Sequence, residues 1–503
     1  MLKEVTASEA TAVPNLIPLV RELPADLETP VSVYLKLAGE GPSFLLESIT
    51  GGEQVARYSF IGVQPSRAYV LQQDAWQVCK FAGKHARDVS LQPCDAANPF
   101  TADPLAFLRE EMAQYRLAAT HGLPRFAGGL VGYLGYEMMR YFETAVPLTP
   151  KPDQPDAILL FADTLVAFDH AFGKLLLITN AYINGDEEAA LAAANERLDA
   201  LVAKLQAPIP VQDSAIQPPP DPTLRSNFTQ EAYETAVLRA KEHIAAGNTF
   251  QIVPSQRFSR ETSARPFDIY RALRRLNPSP YMFFFDFDGL AGGDDFYLIG
   301  ASPEMHVRLE DGIASVRPIA GTRPRGKTPS QDQAHEADLL ADPKERAEHV
   351  MLVDLGRNDL GRVCNYGSVH VPELMVIERY SHVMHIVSHV EGQLRPEYDA
   401  FDLLRHTFPA GTVTGAPKIR AMQIINDLEP EPRGPYAGAV GYVSFDGSMD
   451  TCIAIRTLTM NGRTISIQAG AGIVADSDPT SEYQETVNKA KALAVAVEMA
   501  EKA

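Results

Sequence analysis

The sequence has few cysteines, a single tryptophan and no long apolar run. Its 503 residues include four cysteines, Cys79, Cys94, Cys364 and Cys452. They lie far apart, without the paired spacing of a zinc site or of a secreted disulfide framework, so we expect a reducing, cytoplasmic setting. No stretch approaches the roughly 18 apolar residues that a membrane-spanning helix needs, and the N-terminus lacks the apolar core of a signal peptide. Neither membrane insertion nor export is therefore expected.

Positive charge is also scarce. The chain has 45 Lys and Arg against 64 Asp and Glu, which gives a formal net charge of −19, and it contains no basic run. Nucleic acids and anionic membrane surfaces attract proteins through clustered Lys and Arg, so neither is expected as a partner. An anionic substrate would need a locally positive pocket.

One break in composition divides the chain. Residues 206–227 contain three consecutive prolines and few large apolar residues, which is typical of a solvated connector. We therefore predict an N-terminal domain over residues 1–205, a connector over 206–227 and a C-terminal domain over 228–503. The N-terminal part combines short alternating strands with an alanine-rich helical stretch, which indicates a mixed α/β structure.

The C-terminal part carries signals for both helices and tight hairpins. Thr229 can cap a helix that has apolar residues along one face. The dipeptides Asp311-Gly312 and Asn461-Gly462 accept the positive φ that tight strand turns require. Antiparallel sheets with flanking helices are therefore predicted, and the fold class of the whole chain is predicted to be α+β.

Two helix-like stretches carry carboxylates at helical spacing. Glu345 and Glu348 lie three residues apart, and Glu482, Glu485 and Lys489 follow one another at spacings of three and four near the C-terminus. Carboxylates from two helices could share one Mg²⁺, which prefers oxygen ligands and keeps several waters. Solvated helix faces with ordinary ion pairs would show the same spacing, so spacing alone leaves both interpretations open.

Three glycine-bearing segments allow close approach of the backbone. They are PIAGTRPRG, PAGTVTGAPK and QAGAGIVADSDP. Each could present amide donors to a carboxylate or could simply form a tight turn, and none matches a P-loop. With Arg456 and Lys489 they could form a positive pocket for a small dianion. His385 lies in an apolar run, where the alternatives are a hydrogen-bonded core residue and an acid or base.

Nine segments, in their order and approximate spacing, resemble the chorismate-utilising enzymes and among them the large subunits of anthranilate synthases. They are PSQRF, NPSPYMFF, ASPE, RPIAGTRPRG, EHVMLVDLGRND, VMHIVS, FPAGTVTGAPK, GAVGYV and AGAGIVADSDPTSEYQET. The likeness is dense over residues 228–503 and sparser before them, through LLES, RYSFIG and GGLVGYLGYE. It implies a chorismate-binding C-terminal part and a regulatory N-terminal part. The implied enzyme is a Mg²⁺-dependent lyase that aminates chorismate and expels pyruvate to give anthranilate, the first committed step of tryptophan biosynthesis.

The resemblance also implies roles for individual residues. Mg²⁺ is expected on Glu348 and Glu485, with Glu482 beside them. Glu304 is expected to protonate the departing ring hydroxyl, and His385 to assist the elimination of pyruvate. Around the substrate we expect Gly321, Thr322, Tyr436, Arg456, Gly470, Ala471, Gly472 and Lys489, together with the pocket threonine Thr412.

Two positions distinguish members of the family. Gln251 lies where isochorismate and salicylate synthases carry a lysine that activates water, and because an amide cannot deprotonate water, ammonia is the expected nucleophile. Ala320 lies where aminodeoxychorismate synthases commonly carry a lysine that attacks the ring. An aminodeoxychorismate synthase component I remains the alternative enzyme. A non-catalytic tryptophan sensor is the alternative from another class.

The resemblance also points to a partner and an inhibitor. None of the four cysteines lies in the Gly-x-Cys-x-Gly setting of a glutaminase nucleophile, so ammonia is expected from a separate glutaminase subunit, in a hetero-oligomer. Feedback inhibition by tryptophan is implied as well. The implied inhibitor pocket, where the two halves meet, comprises Glu47, Ser48, Pro280, Tyr281, Met282 and Cys452.

Overall fold

The computed structural model describes residues 13–502 except 40, 50–56, 82–85, 94–102, 120–121, 152–153, 211–220, 292–294 and 381–382. Cys94 and the middle of the predicted connector lie outside the described residues. The helices of the described part are α1 (Pro30–Leu37), α2 (Pro104–Ala113), α3 (Met139–Phe142), α4 (Glu187–Gln206), α5 (Gln230–Ala245), α6 (Pro266–Leu276), α7 (Pro329–Ala341), α8 (Pro343–Gly361), α9 (Ala400–Thr407), α10 (Lys418–Leu428) and α11 (Pro479–Glu501).

The described strands follow the same chain order. They are β1 (Leu16–Pro24), β2 (Ser43–Glu47), β3 (Tyr58–Val63), β4 (Arg67–Gln72), β5 (Ala75–Phe81), β6 (Ala86–Pro93), β7 (Gly129–Leu134), β8 (Ala157–Ala162), β9 (Thr164–Asp169), β10 (Lys174–Tyr182), β11 (Arg225–Ser226), β12 (Gln251–Ile252), β13 (Ser255–Glu261), β14 (Tyr281–Asp286), β15 (Phe296–Ser302), β16 (Met305–Glu310), β17 (Ile313–Val316), β18 (Ile319–Pro324), β19 (His370–Arg379), β20 (Val383–Gln393), β21 (Gly415–Ala416), β22 (Ala439–Ser444), β23 (Met449–Ile453), β24 (Thr457–Asn461) and β25 (Thr464–Gly470).

Two large antiparallel sheets contain almost all of these strands. The first sheet has the order β1-β10-β9-β3-β2-β14-β15-β24-β25-β13-β11. The second has the order β18-β20-β17-β16-β23-β22-β7-β8-β4-β5-β6, with β19 paired to β20. Because antiparallel sheets and helices occur in separate layers, the predicted α+β class is confirmed.

Both sheets run across the predicted domain boundary. The first passes from one half of the sequence to the other at β2 and β14, where Glu47 pairs with Met282. The second does so at β7 and β22, where Tyr133 pairs with Val440. The domain boundary at residues 206–227 stays a prediction, because each sheet contains strands from before and after it.

Alternating side chains place the cores on both faces of each sheet. Phe283 and Phe285 of β14 enter a core that also contains Val131 and Tyr133 of β7, so this core lies between the two sheets. Phe284 points the other way, into a core formed with α1, α4, α6 and α11. A third core joins the outer face of the second sheet to α2, α8 and α9. The layers are therefore helix, sheet, sheet and helix.

The local signals agree with the structure, with one difference. Thr229 caps α5, and its side chain accepts from the Ala232 amide. The turn at Asp311-Gly312 has φ of 51° and 76°. The second hairpin is present, but Asn461 is its last strand residue and the loop is Gly462-Arg463, in which Gly462 supplies the positive φ of 54°. Among the described residues, no helix combines the length and apolar character needed to cross a membrane.

Candidate functional site

One cavity gathers many of the residues singled out from the sequence. This central cavity encloses about 250 Å³. Its lining includes the predicted site residues Gln251, Glu304, Glu348, Thr412, Tyr436, Arg456, Gly470, Gly472, Glu485 and Lys489. Its wall includes residues of α8, which packs against the second sheet, and of α11, which packs against the first.

Glu348 lies near the start of α8, and Glu485 lies near the start of α11. Asp342 caps α8 by accepting from the Lys344 and Glu345 amides, and Asp478 caps α11 by accepting from the Ser481 amide. Each helix begins with a proline, which suits a first-turn position because its missing N–H is not needed there. Glu348 and Glu485 both reach the central cavity within two turns of these caps.

Glu348 is held by an amide and affected by nearby carboxylates. Gln251, itself buried, donates from Nε2 to Glu348 Oε1 at 3.0 Å. Burial raises the pKa of Glu348, and the negative charges of Glu345 and Glu485 raise it further.

A cation between Glu348 and Glu485 would relieve the repulsion between these carboxylates. No group of three or more His, Cys, Asp or Glu suited to a metal occurs among the described residues, but Mg²⁺ typically takes one or two protein carboxylates and completes its shell with water and substrate oxygens. This pair therefore fits Mg²⁺.

Lys489 links the carboxylate of Glu485 to the backbone of Gly470. Its Nζ lies 2.7 Å from Glu485 Oε1 and donates to the Gly470 carbonyl at 2.8 Å. Gly470 and Gly472 are needed here for close approach. A Cβ at Gly470 would lie 2.8 Å from the Tyr436 hydroxyl, and one at Gly472 would lie 2.9 Å from Gln251 Nε2. Larger residues would therefore displace two of the cavity's polar side chains.

Arg456 provides a cation in the same cavity. Its φ of 51° lies in the left-handed region, which is uncommon for a residue with a side chain and is often found at functional sites. Burial lowers the pKa of its guanidinium, although Tyr436 and Glu485 oppose that shift. Arg456 forms no ion pair with any described residue, so its positive charge is available to a ligand.

Glu304 lies in the short connection between β15 and β16 and is only 8% exposed. Burial raises its pKa to about 8, and the Thr412 hydroxyl opposes part of that rise. A carboxylic acid with this pKa keeps its proton at neutral pH. Glu304 is therefore able to donate a proton inside the cavity.

His385 forms a separate group with Gly321 and Thr322, and none of the three lines the central cavity. Its Nδ1 lies 2.9 Å from the Gly321 carbonyl oxygen and 3.0 Å from Thr322 Oγ1. A carbonyl oxygen only accepts, so Nδ1 carries the proton and Nε2 has the free lone pair. Burial lowers the pKa of His385, and Arg456 lowers it further. His385 is therefore a neutral base at neutral pH.

Some predicted residues lie beside the central cavity and do not line it. Thr322 is exposed on β18, an edge strand, and Gly321 is next to it with φ of 67°. Ala471 is fully buried in a small core with Ile252. Glu482 is one turn before Glu485 on α11, and burial raises its pKa, with Glu485 adding to the shift. Their predicted roles stay predictions.

The sequence interpretation did not identify every residue that lines the cavity. Gln468 also lines it and donates to Ser255 Oγ at 2.8 Å. Since alternate strand residues share a face, its position two residues before Gly470 was the available signal. Leu352 and Ile455 add apolar walls, and single apolar residues give no such signal.

A second pocket lies where the two halves share the first sheet. This junction pocket encloses about 70 Å³. Its lining includes all six residues of the predicted inhibitor site, Glu47, Ser48, Pro280, Tyr281, Met282 and Cys452. It is separate from the central cavity, and the two share no lining residue among those described.

The charged groups of the junction pocket are already partnered. Glu47 accepts from Arg274 at 2.9 and 3.1 Å and also bonds to the Tyr270 hydroxyl. Asp450 accepts from Arg308 Nε at 3.0 Å and from the Tyr281 hydroxyl at 3.0 Å. The Ser48 hydroxyl, in contrast, is buried without a hydrogen-bond partner among the described residues.

Comparisons with known proteins agree over almost the whole chain. The family model described as chorismate binding enzyme matches residues 42–495. Anthranilate synthase component 1 from Pseudomonas aeruginosa is 50% identical over 493 residues, which are 97% of this chain and 96% of that protein. The protein of the same name from Aquifex aeolicus is 49% identical over 492 residues, with 97% and 96% covered.

Solved structures give the same result. Anthranilate synthase component I from Streptococcus pneumoniae superposes with a TM-score of 0.76 at 37% identity, covering 94% of this chain and 99% of that one. The menaquinone-specific isochorismate synthase from Escherichia coli shares the fold, with a TM-score of 0.70 at 20% identity and coverage of 97% and 95%. The fold, the central cavity and these relatives together show that this chain belongs to the chorismate-binding enzymes, in the family of anthranilate synthase component 1.

Proposed function

We propose that this chain is the aminating subunit of an anthranilate synthase, which converts chorismate and ammonia into anthranilate and pyruvate. The observation that carries this proposal is the convergence of Glu348 and Glu485 on one cavity. That cavity also holds Glu304, whose pKa burial raises to about 8, and Arg456, which forms no ion pair with any described residue. Such a cavity suits a small unsaturated diacid whose ring hydroxyl must leave. Gln251, in place of a water-activating lysine, favours ammonia as the nucleophile.

Mg²⁺ is the proposed cofactor. Glu348 and Glu485 would hold it, with Glu482 beside them, and when bound it would supply positive charge to the substrate carboxylate and to the leaving group. Before binding, Lys489 neutralises Glu485 at 2.7 Å. Among the described residues, Glu348 accepts a hydrogen bond from the side-chain amide of Gln251 and has no cationic partner.

The first step is amination. Ammonia adds at the ring carbon beside the carboxylate, the double bonds shift, and the bond to the ring hydroxyl breaks. Glu304 gives its proton to that oxygen, so that water leaves. Arg456 and Lys489 face the enolpyruvyl side in this proposal, while Tyr436, Thr412 and the backbone at Gly470, Ala471 and Gly472 enclose the ring.

The second step is elimination. His385 Nε2 removes the proton from the ring carbon that carries the new amine, the bond to the enolpyruvyl oxygen breaks, and the ring becomes aromatic. The bonds from Nδ1 to Gly321 and Thr322 keep the basic nitrogen at Nε2. Pyruvate forms when the departing enol takes up a proton.

Ammonia and regulation come from outside the central cavity. The relatives are named component 1, which implies a second component. We propose that this second component is a glutaminase subunit that supplies ammonia in the cytoplasm. The junction pocket is the proposed site of feedback inhibition by tryptophan. Its partnered charges, apolar walls and free Ser48 hydroxyl suit a zwitterionic aromatic ligand.

A single assay tests the function. The purified chain is given chorismate, ammonium and Mg²⁺, with and without tryptophan, and anthranilate is measured by its fluorescence. We expect anthranilate in the absence of glutamine, less of it with tryptophan and none without Mg²⁺. An aminodeoxychorismate product would support the alternative enzyme, and tryptophan binding without turnover would support the sensor.

A further inference from the structure

One residue of the central cavity wall has no part in the proposed steps. Gln468 lies on β25, where Ile465 and Ile467 face the core that contains α11, so Gln468 lies on the opposite face. It is buried and lines the central cavity. A buried amide needs partners for both of its ends, so the direction of its hydrogen bonds indicates what the cavity can bind.

A buried ion pair determines that direction. Arg433 donates from Nη2 to Glu429 Oε1 at 2.6 Å and from Nε to Glu429 Oε2 at 2.9 Å. Both side chains are at most 5% exposed, and Arg433 also donates to the carbonyls of Val253 and Val413. Held in this way, Glu429 is an ionised carboxylate, which can only accept hydrogen bonds.

Ser255 connects this carboxylate to Gln468. Its amide and its hydroxyl both donate to Glu429 Oε1, at 2.7 and 2.9 Å. Because a hydroxyl has one hydrogen, the Ser255 oxygen can only accept from Gln468, and it accepts from Nε2 at 2.8 Å. The other end of the amide, Oε1, is therefore turned away from Ser255, which does not line the central cavity. No described residue donates a hydrogen bond to Gln468 Oε1.

This free oxygen differs from the other polar groups of the cavity. Arg456 and Lys489 are cations, and Glu304 is a proton donor at neutral pH. The amide of Gln251 donates to the carboxylate pair. Gln468 Oε1 is a neutral acceptor, so its ligand must donate a hydrogen bond without carrying charge. Ammonia, which has three N–H groups and no charge, matches this requirement.

We propose that Gln468 holds the attacking ammonia in the central cavity, with Ser255 and Glu429 as positioning residues. Oε1 accepts one N–H hydrogen, which leaves the nitrogen lone pair free to form the bond to the ring carbon. A carboxylate at this place would favour ammonium, which has no lone pair, whereas a neutral amide oxygen does not. The ring hydroxyl is the competing donor, but in the proposed amination it faces Glu304. This inference rests on the proposed function and names the ammonia site within it.

One variant and a matched control test the contact. Gln468→Met preserves the size of the side chain but removes the acceptor. At constant pH, the ammonium concentration for half-maximal anthranilate formation should rise about tenfold, the equivalent of one hydrogen bond. The corresponding chorismate concentration should change by less than about twofold.

The control is Gln256→Met. Gln256 is a buried amide of β13 that donates to Thr486 Oγ1 at 2.6 Å and does not line the central cavity. Its replacement should lower the melting temperature, because a buried hydrogen bond is lost, and should leave the half-maximal concentrations of ammonium and chorismate unchanged.

Ser255→Ala tests the orientation of the amide. It removes the hydroxyl that fixes Nε2, so the amide of Gln468 can turn and Oε1 faces the ammonia for only part of the time. The half-maximal ammonium concentration should rise about threefold, a smaller change than in Gln468→Met. A merely structural role of Ser255 would lower the melting temperature without this selective change.

A measurement without turnover separates this inference from the proposed function. The Nε2 protons of Gln468 can be followed by NMR of the 15N-labelled protein, with Gln468→Met identifying the signal. We expect a saturable shift when ammonium is added with Mg²⁺ and without chorismate, and no shift with the same concentration of potassium. Saturation should need less total ammonium at higher pH, because ammonia is the bound species.

Three results would overturn the inference. They are equal effects of Gln468→Met and Gln256→Met, an NMR signal that ammonium does not move, and a rise in the half-maximal chorismate concentration in place of ammonium, which would make the ring hydroxyl the partner. If the unchanged protein formed no anthranilate, the proposed function would be wrong, and the NMR titration would still decide whether Gln468 binds ammonia. If Gln468→Met did not fold, Ser255→Ala and the titration of the unchanged protein would decide.

Discussion

The central cavity and the junction pocket differ in how their charged groups are partnered. In the junction pocket, Arg274 holds Glu47 through two hydrogen bonds, and Arg308 holds Asp450. In the central cavity, Arg456 forms no ion pair with any described residue. A paired charge gains little from a second partner, whereas an unpaired one strongly favours a ligand of opposite charge. The difference suggests a charged ligand for the first cavity and a zwitterionic, largely apolar one for the second.

The same comparison separates catalysis from binding. The central cavity contains features that are costly for the folded protein: a buried acid with a pKa of about 8, a left-handed Arg456, and carboxylates that repel each other. In the junction pocket, the costly feature found among the described residues is the Ser48 hydroxyl, which has no hydrogen-bond partner there. Costs of this kind are expected where a protein must change a substrate and are less necessary where it only binds a ligand.

The largest effect is expected at Glu304. Glu304→Gln preserves shape but removes the proton, so kcat for amination should fall by about a thousandfold. Initial rates of chorismate consumption with ammonium measure it. Tryptophan binding, followed by calorimetry, should be unchanged, because Glu304 does not line the junction pocket. A loss of less than tenfold would assign the acid to another group.

A smaller effect is expected at the carboxylate pair. Glu348→Gln should raise the Mg²⁺ concentration for half-maximal activity by about a hundredfold, because one of two ligands loses its charge. Glu482→Gln is the matched control on α11, and its effect should remain below about tenfold, since Glu482 does not line the central cavity. If the two variants responded equally, the assignment of the ligands would be wrong.

The sequence interpretation grouped residues that the structure places around two pockets, but it did not reveal the path of the chain. Thr229 and Asp311-Gly312 identified a helix start and a hairpin because capping and positive φ are local requirements. The boundary near residues 206–227 was also a local signal, but it could not reveal that β2 pairs with β14 and β7 with β22. Such pairings join residues hundreds of positions apart, and their partners are selected by packing.

The candidate site shows the same limit. The helical spacing of Glu345 and Glu348 was compatible with a solvated face, and only the resemblance to a family favoured a metal site. Leu352 and Ile455 escaped attention because single apolar residues give no pattern.

A more selective effect is expected at His385. His385→Met removes the base, so anthranilate formation should slow by about a hundredfold at the elimination step, while chorismate consumption changes only a few-fold. Chromatography should show an aminated cyclohexadiene that still carries its enolpyruvyl group. Prompt anthranilate formation without that intermediate would show that another group removes the proton.

The smallest effect is expected at Ser48, and it tests the junction pocket alone. If its free hydroxyl bonds a ligand, Ser48→Ala should raise the tryptophan concentration for half-inhibition by about tenfold, the equivalent of one hydrogen bond. Because the hydroxyl has no hydrogen-bond partner among the described residues, its removal should not lower the melting temperature. Thr179→Val is the matched control, since Thr179 Oγ1 is also buried without a hydrogen-bond partner in the described part of the chain but lies outside both pockets. Equal shifts in inhibition for the two variants would mean that Ser48 acts through packing, and the contrast between a reactive cavity and a binding pocket would lose its support on the binding side.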